Sequence, residues 1–239
     1  MGVGRPASLT TRALTEHLKT TAIIPVKRLD AAHGRLEAAL GPAARQGLAE
    51  AMLLDTLSKL RRSSRLDELL VVTADPWVER QARWFGHEVL VQNEDTGHSA
   101  AAIAGARTAI QWGAERVAML PVDTPLLDPA ELDAHLGKTP QAALIIPDRH
   151  GSGTNGLVLS PPDAFAPAFG PDSCARHISR ARAAEISFSL EEIDSLAIDL
   201  DTHEDLVELR DRLLLDPEPA PRTAAVLWEL GAEAQTAVA

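Results

Sequence analysis

Arg116–Pro129 reads RVAMLPVDTPLLDP, an apolar run that meets an acid, Asp123, almost as soon as it ends. Arg116–Pro121 has the length and composition of a buried strand. Apolar runs at Thr21–Val26, Glu68–Thr73, His87–Gln92, Ala142–Pro147 and Gly156–Ser160 repeat the pattern. Helical spacing lies among them. Arg45 to about Arg61 places Leu48, Met52, Leu53 and Leu57 on one face, and Pro76–Phe85 opens behind Asp75. The Ala-rich run Ser99–Trp112 and the segment Pro129–Leu136 also read as helices. Further on come a helix ending at Ala183, strands at Glu185–Leu190 and Leu196–Asp199, and a helix over His203–Leu214. Strands alternating with helices predict an α/β fold: one domain with a mostly parallel sheet and helices on both faces. Ligands of such sheets bind beyond the carboxyl ends of the strands. The polar residues that follow each strand are therefore the ones to question.

The chain has 239 residues, 45% hydrophobic and 24% charged, enough for one well-filled domain. Residues 1–20 carry no periodic pattern and read as a flexible extension. Residues 215–239, opening with DPEPAPRTAA, read as a Pro/Ala-rich tail, which leaves 21–214 as the domain. A net charge of -11 and the absence of Tyr argue against nucleic acid or an anionic membrane as partner. The charge is uneven, with 11 basic and 5 acidic residues up to position 65, and 12 and 29 thereafter. That division suits a polyphosphate on one side and metal-binding carboxylates on the other, and equally suits scattered surface charge. Cys174 is the single cysteine, so an internal disulfide and a thiolate zinc site are both excluded. No apolar run reaches signal-peptide or membrane-span length, which points to the cytoplasm.

Lys27, with Arg28 and Arg35, follows the first strand, where a cation meets phosphate or is simply solvated. The loop is neither G-x-G-x-x-G nor a Walker loop. Asp123 fits a turn, or a carboxylate at the sheet edge of the kind hard Mg²⁺ prefers. Asp199 and Asp201 stand two apart in an expected short strand, so both project on one face. A metal beside them offsets their repulsion. Thr202 and Asp205 read as a capping box for the next helix, which leaves Asp199 unexplained. In Ala168–Arg180, Gly170 and Ser173 open a helix whose N-terminus suits an anion, with N-capping by Asp172 or Ser173 as the alternative. Asp148–Ser160, DRHGSGTNGLVLS, is rich in small hydrogen-bonding residues but lacks the lysine of a nucleotide loop. His33, His98 and His150 show no metal-ligand spacing.

Taken in order, IIPVKRLDAAHGRL, LPVDTPLL, DRHGSGTNGLVL, FGPDSCARH and AIDLDTHEDL resemble the 2-phospho-L-lactate / phosphoenolpyruvate guanylyltransferase family over about residues 21–214. The resemblance implies a MobA-like nucleotidyltransferase fold. It also implies transfer of GMP from GTP to phosphoenolpyruvate, 2-phospho-L-lactate or 3-phospho-D-glycerate, on the route to coenzyme F-420. A downstream deazaflavin transferase is then an expected partner. By the same resemblance Asp123, Asp199 and Asp201 hold Mg²⁺, and Thr154, Gly170 and Ser173 contact the acceptor phosphate. Lys27 faces the GTP phosphates and, with Asp123, is the expected catalytic group. The family has Gly-Leu-Asn-Ala where this chain has Gly97-His98-Ser99-Ala100, near the expected nucleotide. Rival readings are a related nucleotidyltransferase using CTP, a sugar phosphate or molybdopterin, an Asp-x-Asp glycosyltransferase, and a nucleotide sensor without activity. Pyrophosphate release, and a comparison of GTP with CTP, separate them.

Overall fold

Side chains alternate across a strand, and β1 (Thr20–Val26) shows what that does here. Ala22, Ile24 and Val26 enter one apolar core, while Ile23 enters another. In the computed structural model, which describes residues 17–31, 34–138 and 141–236, the same division runs through the sheet. In β4 (Arg116–Met119), Ala118 faces the first core, and Val117 and Met119 the second. Strands buried on both faces have no polar side to show, which is why the sequence reads as solid apolar runs.

The other strands are β2 (Glu68–Thr73), β3 (Glu88–Val91), β5 (Ala143–Pro147), β6 (Thr154–Leu159) and β7 (Phe188–Leu190). The seven lie in the order β3-β2-β1-β4-β6-β5-β7. Helices α1 (Pro42–Leu60), α2 (Pro76–Trp84) and α4 (Pro129–Gly137) cover one face. Helices α3 (His98–Gln111) and α5 (Ser173–Ala183) cover the other. This is the single α/β domain that the alternation predicts, in a mixed sheet.

Among the described strands, β6 alone runs against the rest, pairing antiparallel with both β4 and β5, whereas the other neighbours pair in parallel. A parallel return needs a crossover of a dozen or more residues, and only residues 148–153 separate β5 from β6. The reversal has a functional result. Because β6 starts where its neighbours finish, the DRHGSG loop and Thr154 stand at the sheet's carboxyl edge beside Lys27 and Asp123.

Two expectations change. No strand forms at Leu196–Asp199; Asp194–Leu196 make one 3-10 turn, and the chain then bends. Ile198 and Leu200 are buried and Asp199 and Asp201 half-buried, so in-out alternation survives without a ladder. The expected Pro/Ala-rich tail is instead largely helical. After α6 (His203–Leu215), α7 (Pro221–Thr236) packs on α1, with Ala220 and Leu227 in a third core with Leu48, Met52 and Leu209. Pro221 occupies a first-turn position, where its missing N–H costs nothing. Asp55 of α1 is fully buried and accepts from the Thr223 amide and hydroxyl, each at 2.9 Å, so α1 caps α7 from outside. The expected N-terminal extension lies outside the described residues up to position 16, and Thr20 is already part of β1. Among the described residues, no helix is long and apolar enough to cross a membrane.

Candidate active site

Along the carboxyl edge of the sheet runs a cleft of about 630 Å³. Lys27 enters it after β1, Ala74 after β2, Gln92 after β3, Asp123 after β4 and Asp148 after β5. Thr154 and Asn155 enter from the start of β6, Gly170 and Ser173 from the start of α5, and Asp199 and Asp201 from the bend before α6. The structure thus brings all seven sequence-predicted residues into one cavity: Lys27, Asp123, Thr154, Gly170, Ser173, Asp199 and Asp201.

The acidic side is fixed by backbone. Leu200 donates its N–H to the Asp123 carbonyl at 3.1 Å, and Asp201 donates to the Asp199 carbonyl at 3.2 Å. The capping box at Thr202 and Asp205 forms as expected, and Asp205 Oδ2 also accepts from the Asp201 amide at 3.2 Å. Burial and the Asp201 carboxylate push the Asp123 carboxyl up to about 6, against the pull of Lys27. Burial and Asp123 push Asp199 up to about 6 as well, although Asn155 donates to its Oδ1 at 3.2 Å. Two half-buried acids, each raised by burial and a neighbouring carboxylate, are under-neutralised by the protein alone. Oxygen donors and unspent negative charge fit Mg²⁺. Among the described residues no three His, Cys, Asp or Glu side chains converge into a ready-made cage. Mg²⁺ does not require one, since it commonly takes one or two carboxylates with substrate phosphates. Asp201 is held at 2.6 Å by Arg35, in an exposed ion pair.

The opposite side is hydrogen-bonded to itself. Asp148 accepts from the amides of His150, Ser152 and Gly153 at 3.1, 3.0 and 2.9 Å. A Cβ on Gly153 would stand 2.5 Å from Asp148 Oδ2, so only glycine permits the approach. These amides are therefore committed, and the loop is no free anion nest. The start of α5 is also partly committed: the Ser173 amide donates to the Gly170 carbonyl at 3.1 Å and that of Cys174 to the Ser152 carbonyl at 3.1 Å. Gly170 has φ +107°, a conformation open to glycine. Asp172 stands at the N-cap position with φ +53° and makes no capping side-chain bond, so the capping alternative does not describe it. What remains available to an anion is the Thr154 hydroxyl together with groups about Gly170.

Three contributors carry no role from sequence. Asn155, 5% exposed, donates to the Leu196 carbonyl and to Asp199, tying β6 to the acidic bend. Arg149 pairs with buried Asp205 at 2.6 Å and with Glu208, bracing the loop against α6. His177 bonds Thr154 at 3.0 Å. Asn155 lies within the quoted loop and His177 within the quoted helix start, but pairings across 44 and 23 residues leave no local pattern. His98 opens α3 and meets the Phe169 ring edge-on at 4.6 Å between centroids. It is open to water yet recessed in the cleft, and that recess, with Lys27 beside it, holds its imidazole down at about 4.

The model of the family described as "Guanylyl transferase CofC like" matches residues 20–211. A phosphoenolpyruvate guanylyltransferase of Conexibacter woesei is 44% identical over 216 residues, covering 89% of this chain and 97% of that protein. A 2-phospho-L-lactate guanylyltransferase of Methanothermobacter thermautotrophicus is 35% identical, covering 80% and 84%. The solved structure of a nucleotidyl transferase, also from Methanothermobacter, shares the fold with TM-score 0.58 at 17% identity, covering 82% of this chain and 98% of that one. With a family match that spans the sheet and every candidate residue in the cleft, the chain belongs to the guanylyl transferase CofC-like family.

Proposed function

We propose that the protein transfers GMP from GTP to a phosphorylated three-carbon acid, phosphoenolpyruvate first among them, and releases diphosphate. One observation carries the reading: a single cleft gathers Lys27 and the three aspartates at one wall and Thr154, Gly170 and Ser173 at the other. The names of the relatives support it, and phosphoenolpyruvate is preferred over 2-phospho-L-lactate because the 44%-identical relative bears that name.

In the reaction, a phosphate oxygen of the acceptor attacks the α-phosphorus of GTP. The new P–O bond forms as the bond to the β-phosphate breaks, and diphosphate carries away the electron pair. A phosphate monoester is largely dianionic near pH 7, its second pKa being about 6. No protein base is then required, and the described residues of the cleft offer none of the usual nucleophile–base sets. The main obstacle is charge. Lys27, exposed at the end of β1 and acting on both Asp123 and His98, is placed to meet the triphosphate. Asp123 and Asp199, with Asp201, would hold Mg²⁺, which when bound neutralises and aligns the phosphate oxygens. Thr154 donates to the acceptor phosphate, and Gly170 lets the backbone approach it. Arg35 stands within reach of both the acidic wall and an incoming phosphate, so the Asp201 pair is the contact a substrate would compete for.

The product is a mixed diphosphate, activated for a transferase that passes the acid to a deazaflavin acceptor in coenzyme F-420 synthesis. GTP and phosphorylated three-carbon acids are both metabolites of the cytoplasm, which supports that compartment for the reaction.

The test is diphosphate release by purified protein with Mg²⁺, GTP and each of phosphoenolpyruvate, 2-phospho-L-lactate and 3-phospho-D-glycerate, with a coupled ligase partner drawing off product. Release with at least one acid, lost in Asp199→Asn at unchanged circular dichroism, is expected. Wild-type turnover in that variant sinks the metal assignment, and silence with all three acids sinks the function.

A further inference from the structure

His177 is fully buried, lies outside the cleft lining, and touches the candidate acceptor site at a single atom. Its Nε2 faces the backbone N–H of Ala168 at 2.8 Å. An amide N–H only donates, so Nε2 must accept and carries no proton. The proton of the neutral ring therefore sits on Nδ1. Nδ1 lies 3.0 Å from Thr154 Oγ1, so there the hydroxyl is the acceptor. The hydroxyl's own proton is left to point elsewhere, and the Thr154 side chain lines the cleft.

We propose that His177 is a positioning residue: by donating to Thr154 it commits that hydroxyl's proton to an anionic oxygen of the phosphorylated acceptor. The proposal rests on the reading that the acceptor phosphate binds at Thr154. The surroundings hold the ring in this role. Phe169 meets it edge-on at 5.1 Å between centroids and Phe165 lies at 6.1 Å, so it has little freedom to flip. Arg176 is drawn off to the Ala168 and Phe169 carbonyls and Arg180 to those of Ala166 and Pro167. Burial with these two cations holds the imidazole down at about 4, so it stays neutral at any working pH near neutrality. The other neutral tautomer would set an Nε2 proton against the Ala168 N–H, a cationic ring would do the same, and a flipped ring would put a carbon where the amide needs an acceptor.

A hydroxyl with an enforced direction discriminates by charge. It welcomes an acceptor oxygen, most of all an anionic one, and repels a group that can only donate at that place, such as an ammonium. A freely rotating threonine would take either.

A double-mutant cycle with phosphoenolpyruvate as probe tests this at saturating GTP and Mg²⁺. Thr154→Val and His177→Phe should each raise the KM for phosphoenolpyruvate on the order of tenfold, the worth of one hydrogen bond to a charged group. Both should leave the KM for GTP within about twofold. In the double variant the second change should add less than about twofold, because His177 acts through the hydroxyl already removed. Equal, independent losses in the two backgrounds overturn the proposal and make His177 merely structural. An unchanged phosphoenolpyruvate KM in Thr154→Val instead removes the acceptor from Thr154, which overturns the site reading and the proposal together. Should His177→Phe not fold, imidazole ¹⁵N spectra of the unaltered protein decide. A proton on Nδ1 supports the assignment, and a proton on Nε2 overturns it.

Discussion

The two ends of the cleft are built by different means. Around Gln92–His98, the end proposed to take the nucleotide, the chain is mostly exposed and carries few side-chain bonds, among them Asp95 to the Gly97 amide at 3.0 Å. Around the β5–β6 loop every turn is braced: Asp148 gathers three amides, Arg149 reaches Asp205, Asn155 reaches Asp199 and His177 reaches Thr154. A long nucleotide supplies many contacts of its own and tolerates a loose rim. A three-carbon acid supplies few, so the protein must arrive already shaped.

That contrast breaks most visibly where the two ends meet, at the aspartates. Asp123→Asn should cut turnover by roughly 10²–10³-fold, comparable to losing a main electrostatic group of a site. The same change should stabilise the metal-free protein. Both carboxyls have folded pKa values raised to about 6 from 3.8. Such a group favours the folded state most below about pH 4, and that contribution is lost as pH rises through about 6, where the acids ionise side by side. In EDTA, the melting temperature at about pH 7.5 should therefore rise in the variant, by the equivalent of about 1–2 kcal/mol after allowing for partial solvation. No gain in EDTA would mean that the pair is neutralised by something other than a metal.

A smaller effect is expected from unbracing the acceptor end. Arg149→Met leaves Asp205 buried without its cation, and should cost about 2–3 kcal/mol in chemical denaturation. Smaller still is Asp148→Ala, which frees three amides to water and loosens the loop. It should raise the phosphoenolpyruvate KM roughly tenfold and the GTP KM hardly at all. If both constants rise together, the two ends are one mechanical unit and the contrast is wrong. The least effect belongs to the loose rim. His98→Leu loses one edge-on ring contact and should alter the GTP KM by no more than about threefold.

Sequence is most readable where the rule is local. Strands announce themselves because both faces are buried, and Asp123 stands out because it follows one of them directly. The direction of β6 is legible too, in a connection of residues 148–153 that is too short for a crossover, but a solid apolar run has the same look either way. Helix α7 is masked by composition: DPEPAP reads as linker, while Pro221 at a first turn and Leu227 six residues on are signs of a helix. The Asp199 bend misleads for another reason. Its alternation of buried and half-buried residues is that of a strand, yet two isolated bonds, Leu200 to Asp123 and Arg149 to Ala197, take the place of a ladder. The bonds of His177, Asn155 and Arg149 depend on distant partners, which no spacing rule reports.

The cap that α1 gives to α7 also has a timetable. Asp55 and Thr223 are 168 residues apart, so the acid is synthesised long before the amide and hydroxyl that will satisfy it. Until then the buried carboxylate of α1 has only Lys59, one turn on, as a charged neighbour, and lacks the hydrogen bonds that satisfy it. The sheet-facing side of α1, with Leu53, Leu57 and Leu60, can seat early, but the side that carries Asp55 closes only against the last described helix. Chains truncated before Thr223 should for that reason be more open to protease at the Asp55 side of α1 than the full chain.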